Sequence, residues 1–424
     1  MFFGKKHKRK AATIKIRESH HETIPVDDLV PGMFITELDI PWEQSPFLFQ
    51  GFRLENLQDV EAVKNCCKQV TIDVTQTRKI SLPRHAVDER GFTHTTHIQR
   101  SSTTRLEISR ATNVYRQTST LVNDIIDDVR LGKAIDSKNA KEAVSGAVDS
   151  IIRTPDAMLM LTRIKHRDAY TAEHSLNVAI LTIAFGRALG LERDKLEQIG
   201  VCGLLHDMGK IVIPNEVLNK QGQLSPEEFE IMKQHTTNGR DIIAASGGEF
   251  PGAMDVAHAH HERLDGSGYP RGLYGHQTTL WTKIVAIADT FDAMTSDRVY
   301  KEGRTNMDAF RVLNEGRGKL FDTNLVMRFI GSIGIYSPGS LVLLNSGEIG
   351  LVVESNPKAA LLPQILLLRN PQQQEIEPRM IDLADQVKIP GSGIFYKITK
   401  MLRASEHGID LPQLREQGFL LNQL

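Results

Sequence analysis

From Leu106 to Ile330 the sequence returns apolar residues at helical spacing, and into the same segments it sets histidines and aspartates. The stretch LEISRATNVYRQTSTLVNDIIDDVRLGK shows the spacing at Val114, Leu121, Val122, Ile125, Ile126 and Val129. Further helical segments are predicted at 140–164, 170–189, 193–207, 226–245, 252–262 and 280–296. SPEEFEIMKQH is a marked helix start, with Ser225 as cap, Pro226 in the first position and Glu228 in the third. A chain so patterned folds as an all-helical bundle over residues 105–332. The interior of that bundle must accommodate imidazoles and carboxylates.

The flanks read differently. Residues 1–20 hold a basic run and read as a flexible, solvated tail. Residues 21–80 mix Pro25, Pro31, Gly32 and Pro41 with short β-type runs, a helical stretch and a strand around Val70 to Val74, giving a small α+β module. A polar linker is expected over 81–104. Beyond the bundle, over 333–424, GSLVLLNSGEIGLVVESN and LPQILLLRN predict a small β-rich module, a barrel being one form of it, with a terminal helix at 398–405. The expected fold class is therefore multidomain: an all-α bundle preceded by an α+β module and followed by a β-rich one.

Composition removes several functions. The 51 basic and 52 acidic side chains nearly cancel, so nothing drives the chain as a whole toward a nucleic-acid polymer or an anionic membrane. A small anionic ligand needs only local charge and stays open. The three cysteines, Cys66, Cys67 and Cys202, form neither a disulfide framework nor a CxxC zinc site, which predicts a reducing compartment, the cytoplasm. The apolar runs are too short for a transmembrane segment, and no signal peptide is expected.

Eight of the 15 histidines fall between Lys165 and Gln277. His174, the adjacent pair His206 and Asp207, His235, the adjacent pair His260 and His261, and Asp289 each lie on or at the end of an otherwise apolar helix. Adjacent residues on a helix diverge by about 100°. Asp207 can therefore serve one cation beside His206 and bridge to another, while His260 and His261 reach different ions. Seven nitrogen and oxygen ligands without sulfur suit two divalent ions such as Fe, Mn, Zn, Ni or Co. Paired ions a few Å apart suit phosphoester hydrolysis, because they acidify a bridging water from a pKa of about 15.7 toward 7 and clamp phosphate oxygens. Lys210 follows on the same face, where a cation could stabilise developing charge or protonate a leaving oxygen. His258 and His276 read as rim residues, and Asp292 as part of a local network. His20, His21, His85, His94, His97 and His166 read as surface residues. HAHHERLDGSGYPRG, residues 258–272, is either a polar surface loop or the wall of a site.

HDMGK with HHERLDGSGYP, joined in order by IPNEVLNKQGQLSPEEFEIMKQH and IADTFDAMTSDRVYK, resembles the HD-GYP family of metal-dependent cyclic di-GMP phosphodiesterases. The resemblance covers Tyr170 to Asp322. It implies metal ligands at the seven positions already named, and a catalytic role for Lys210 beside Asp207. It further implies phosphate contacts at Arg298 and Lys301, with Gly268, Tyr269 and Pro270 lining the mouth of the site. The glycines would let substrate pass close to the metals, and Pro270 would stiffen the wall. Some members carry a glutamate where this chain has Tyr170, a poor ligand at neutral pH, so two metals are expected rather than three. Cyclic di-GMP is the implied partner, with a diguanylate cyclase domain at the Gly268–Pro270 loop and a homodimer as further associations. The stretch IPVDDLVPGMFITELDIPW resembles a module of unknown function that precedes such domains. Other readings are a phosphohydrolase for a different nucleotide, or a signalling scaffold that binds without turnover.

Overall fold

The computed structural model describes residues 21–40, 51–54, 57–74, 102–164, 170–247, 251–296, 303–356, 359–403, 407–409 and 411. The basic tail, residues 81–101 of the expected linker, and Arg298 and Lys301 lie outside the described residues. The chain forms two compact units, Met1–Arg84 and His85–Leu424.

In the first unit, strands β1 (His21–Pro25), β2 (Phe34–Leu38), β3 (Phe52–Arg53) and β4 (Gln69–Asp73) form an antiparallel sheet in the order β1-β4-β2-β3. Helix α1 (Leu57–Lys64) precedes β4. Ile35, Leu54, Val63, Val70 and Ile72 make its core. The Asp39 carboxylate accepts the backbone N–H groups of Lys68 and Gln69, both at 2.9 Å, where the chain enters β4.

The second unit begins with α2 (Thr104–Arg130), α3 (Ser137–Arg153) and α4 (Pro155–Arg163). The single helix expected over 140–164 is thus two, because Pro155 cannot continue a helix and Thr154 is extended at φ −158°, ψ 125°. Next come α5 (Tyr170–Ala188), α6 (Arg193–Leu205), the short α7 (Asn215–Leu218) and α8 (Pro226–Ala245). Every residue from Ala172 to Gly186 is buried, so α5 is the central helix. The Ser225 hydroxyl accepts from Glu228 N and the Glu228 carboxylate from Ser225 N, closing the expected capping box at the start of α8.

Helices α9 (Pro251–Ala259), α10 (Leu280–Thr295), α11 (Asn306–Glu315) and α12 (Thr323–Ile333) complete the bundle. Phe329 of α12 meets Phe185 of α5 edge-on at 5.3 Å, and Phe291 of α10 stacks on Phe310 of α11 at 5.2 Å. Burial of each such ring stabilises the fold by roughly 1.5–3 kcal/mol.

Strands β5 (Leu341–Leu344), β6 (Ile349–Glu354), β7 (Gln364–Arg369), β8 (Glu375–Asp382) and β9 (Ile398–Leu402) follow in an antiparallel sheet, β8-β7-β6-β5-β9. Two expectations are corrected here. Among the described residues the sheet is open, with β8 and β9 at its edges, rather than a barrel. The expected terminal helix at 398–405 is instead strand β9, paired with β5 from Leu341↔Leu402 to Leu344↔Ile398. Ile398, Met401 and Leu402 fit a helical spacing, but the free edge of β5 supplies hydrogen bonds that a short helix could not match. The sheet is tied to the bundle by buried and part-buried polar contacts. Asp156 of α4 accepts Ser355 N at 2.9 Å, and Asn306 of α11 donates to Ser337 Oγ at 2.5 Å.

Candidate metal centre

The seven expected ligands arrive from five helices, and their ligating atoms converge at one place. His174 lies on α5, His235 on α8 and Asp289 on α10. His206 and Asp207 follow the last turn of α6, which ends at Leu205 rather than 207. His260 and His261 follow α9, which ends at Ala259 rather than 262. Three overlapping groups result, each with ligand atoms within 4.8 Å of one another: Asp207, His235, His260 and His261; His174, His206 and Asp207; His206, His260 and Asp289.

The early ends of α6 and α9 matter. Asp207 sits at φ −105°, ψ 11°, outside the helical well, and a tight turn from Met208 to Val212 follows. His260 and His261 do not splay apart as they would in mid-helix. Their rings lie 4.1 Å apart, and both ligating atoms face Asp207 and His235. Gly209 explains how the turn after Asp207 reaches α8. A Cβ there would lie 1.9 Å from the His235 carbonyl oxygen and 2.4 Å from Gly239 N, so only glycine allows this approach.

The two oxygens of Asp207 face different neighbours. Oδ2 lies 3.5 Å from His174 Nε2 and 3.4 Å from His206 Nε2. Oδ1 lies 3.5 Å from His235 Nε2 and 3.6 Å from His260 Nε2. Asp289 Oδ1 is 3.2 Å from His174 Nε2 and 3.8 Å from His206 Nε2, on the Oδ2 side. Lys210 pairs with Oδ2 from across the tight turn.

The rings are held from behind through Nδ1. His206 Nδ1 donates to Gly203 O at 2.7 Å and His235 Nδ1 to Met232 O at 2.6 Å. His260 Nδ1 faces Val256 O and Ala257 O, both at 3.1 Å. A carbonyl only accepts, so these Nδ1 atoms carry the hydrogen and each Nε2 presents a lone pair to the cluster. His235 Nε2 and His260 Nε2 then face one another at 3.4 Å. His206 Nε2 and Asp207 Oδ1, both buried, make no hydrogen bond among the described residues. Converging lone pairs and carboxylates could hold a cation between them, and a set of imidazole and carboxylate donors without thiolate suits a divalent metal.

His174 differs in its support. Its Nδ1 lies 2.8 Å from Asp292 Oδ2, which also accepts from Ser296 Oγ at 2.9 Å. Burial opposes its protonation, yet Asp289 and Asp292 outweigh burial and raise the His174 pKa to about 9 in the metal-free protein. Burial instead dominates at His235, whose pKa falls to about 4, and at His261, held well below the usual histidine range. Asp207 and Asp289 stay ionised despite burial: the Lys210 charge and His206 hold Asp207 far down, and His174 with His206 does so for Asp289.

The loop after His261 divides its labour. A Cβ on Gly268 would lie 2.4 Å from Arg263 N and from Glu262 Cα, so the loop packs on its own backbone only with glycine here. The buried Glu262 carboxylate clamps the loop by accepting Arg271 N at 2.8 Å and Leu273 N at 2.9 Å. Tyr269 lays its ring on His261, centroids 4.7 Å apart, whereas Pro270 is exposed. His258, half-buried, has its Nε2 3.5 Å from Arg240 Nη1, and His276 is exposed. Asp292, expected in a local network, is in one with His174 and Ser296. The sequence reading missed Phe229 and Lys233 of α8, which meet Tyr269 and left no local signal.

Comparison with known proteins places this geometry. Residues 156–325 match the HD domain family, and residues 21–140 match a domain of unknown function. A cyclic di-GMP phosphodiesterase of Pseudomonas aeruginosa is 34% identical over 368 residues, 85% of this chain and 88% of that protein. A cyclic di-GMP phosphodiesterase of Thermotoga maritima is 40% identical over 194 residues, 46% of this chain and 52% of the relative. A 3'3'-cGAMP-specific phosphodiesterase of Vibrio cholerae is 39% identical over 158 residues, 37% of this chain and 36% of the relative. The chain thus spans most of the first relative and about half or less of the other two. No helix among the described residues is long and apolar enough to cross a membrane.

Proposed function

The chain belongs to the HD-GYP family of metal-dependent cyclic di-GMP phosphodiesterases, and from that premise we propose that it opens cyclic di-GMP at a site for two divalent ions, releasing linear pGpG, GMP or both. The observation that carries the two-ion reading is the division of Asp207, with His174 and His206 on Oδ2 and His235 and His260 on Oδ1. One ion would be held by His174, His206, Asp207 and Asp289, the other by Asp207, His235, His260 and His261. Fe, Mn, Zn, Ni and Co all suit these donors. Such ions, when bound, acidify water and draw charge from phosphoryl oxygens.

The protein's own groups supply the rest. Asp207 joins the two halves and holds the Lys210 ammonium beside them, where it can give a proton to the leaving oxygen. Burial of His174, His206, His235 and His260 keeps bulk water from the ligands. Tyr269 forms the wall over His261, flanked by Gly268 and Pro270. Arg298 and Lys301 are assigned the substrate phosphates, on the family resemblance. We divide the chain, on the same reading, into a tail (1–20), an α+β module (21–80), a linker (81–104), the catalytic bundle (105–332) and a β-rich module (333–424). The cytoplasm, a homodimer and a diguanylate cyclase docked at the loop belong to this proposal too.

The test is metal analysis and a cyclic di-GMP hydrolysis assay on purified protein, comparing wild type with His206→Ala plus Asp207→Ala. Two ions per chain, and turnover lost at least about a thousandfold in the double variant, are expected. Unchanged turnover sinks the metal mechanism, and three tightly held ions overturn the two-ion reading. Binding without hydrolysis by the metal-loaded wild type points to a scaffold.

A further inference from the structure

A line of rings leads from the ligand cluster to the surface. Tyr269 lies tilted on His261, centroids 4.7 Å apart at 31°. Phe229 of α8 stands edge-on to Tyr269, 5.8 Å away at 81°. Lys233, one turn along α8, holds its ammonium 5.2 Å over the Phe229 ring and 5.9 Å over that of Tyr269. The same ammonium pairs with Glu230, an exposed carboxylate that an incoming ligand could replace.

Phe229 is 43% exposed and lies between two exposed acids, Glu227 and Glu230. What sets Phe229 apart from an ordinary exposed apolar residue is its place against Tyr269 and Lys233. As a clip for the loop it is redundant, since Glu262 already holds Arg271 N and Leu273 N and Tyr269 N reaches His261 O. A part-exposed aromatic ring beside a second ring and a cation has the chemistry to receive a purine: a π surface for the base, and an ammonium for its carbonyl or ring nitrogen. It lies two ring spacings from the ligands, within reach of a nucleoside whose own phosphate meets them.

We propose that Phe229, together with Tyr269 and Lys233, is the seat of one purine base of the cyclic dinucleotide. The inference rests on the functional reading above and adds where the base goes. Stacking tolerates either purine, so this seat fixes the position of the base and leaves the choice of guanine over adenine to other contacts.

The test uses the full-length, metal-loaded protein as wild type, Phe229→Ala and Phe229→Trp, with metal content measured for each. For cyclic di-GMP, Phe229→Ala is expected to raise KM about tenfold or more with kcat changed by less than about threefold, while Phe229→Trp restores KM. Calorimetric binding of GMP is compared with that of ribose 5-phosphate, which keeps the sugar and phosphate but lacks the base. Phe229→Ala should weaken GMP at least about fivefold more than ribose 5-phosphate. Equal weakening of the two ligands, or a fall in kcat at unchanged KM, overturns the seat and makes Phe229 a structural clip. If wild type binds GMP in this selective way but leaves cyclic di-GMP intact, the seat stands and the assigned reaction fails. If wild type hydrolyses cyclic di-GMP and Phe229→Ala behaves identically, the reaction stands and the seat fails.

Discussion

The two sides of Asp207 differ in their ligands, His174, His206 and Asp289 against His235, His260 and His261, and in what stands behind them. On the Oδ2 side, His174 is backed by a carboxylate, Asp292, and Asp289 together with Asp292 raises its pKa to about 9 against burial. On the Oδ1 side, His235 is backed by the Met232 carbonyl, and burial lowers its pKa to about 4. A charged partner makes an imidazole a stronger base and a more electron-rich ligand, whereas a neutral carbonyl only fixes its tautomer. The halves should therefore hold their ions with different affinity and different dependence on pH.

The largest test removes the juxtaposition itself. Gly209→Ala places a Cβ against the His235 carbonyl and must drive the turn carrying Asp207 away from α8. A loss of about 3 kcal/mol in stability is expected, read as a lowered Tm, with both ions and all activity lost together. Retention of two ions at wild-type affinity would show that the close approach does not matter.

Asp292→Asn separates the halves. It keeps the shape but removes the charge behind His174, so affinity for the ion on the Oδ2 side should fall about 10–100-fold while the other ion is retained. Native mass spectrometry during chelator titration counts ions per chain and distinguishes this from uniform loss.

pH separates them without mutation. In the metal-free protein His174 gains its proton on folding, because its folded pKa of about 9 exceeds the ordinary 6.5. Its contribution to stability is fully present below about 6.5 and is lost as pH rises through about 9. Metal must displace that proton, so affinity on the Oδ2 side should rise about tenfold per unit between roughly pH 6 and 9. His235 is neutral throughout that range and should add no slope to the Oδ1 side. Calorimetry in buffers of different ionisation enthalpy reads the proton released, and parallel slopes for both ions would remove the distinction.

The smallest effect is expected from Ser296→Ala, which removes one donor to Asp292 Oδ2. A loss of about 1 kcal/mol or less, confined to the Oδ2 side, follows from the net value of one hydrogen bond. The same chelator titration checks it.

Much of this was legible in the chain. Apolar spacing located the helices because a buried face must repeat every three or four residues. The expected ligands stood out because imidazole and carboxylate have no other reason to interrupt such faces. Other features hid because their cause lies elsewhere in the chain. Strand β9 resembled a helix until β5 offered it an edge. The need for glycine at 268 has a cause hidden in the sequence, the backbone of residues 261–263 that would meet a Cβ there. Phe229 carried no signal, since its meaning comes from Tyr269, which arrives 40 residues later in the sequence.

The sequence by itself determined the helical bundle, the seven candidate ligands and the class of ion they suit, since side-chain chemistry and helical period are local properties. Tertiary structure alone decided which histidines face each oxygen of Asp207, that His260 and His261 converge instead of diverging, and that a carboxylate stands behind one histidine and a carbonyl behind another. Those features depend on where helices end and how closely they approach. Both are set by packing between residues far apart in the chain.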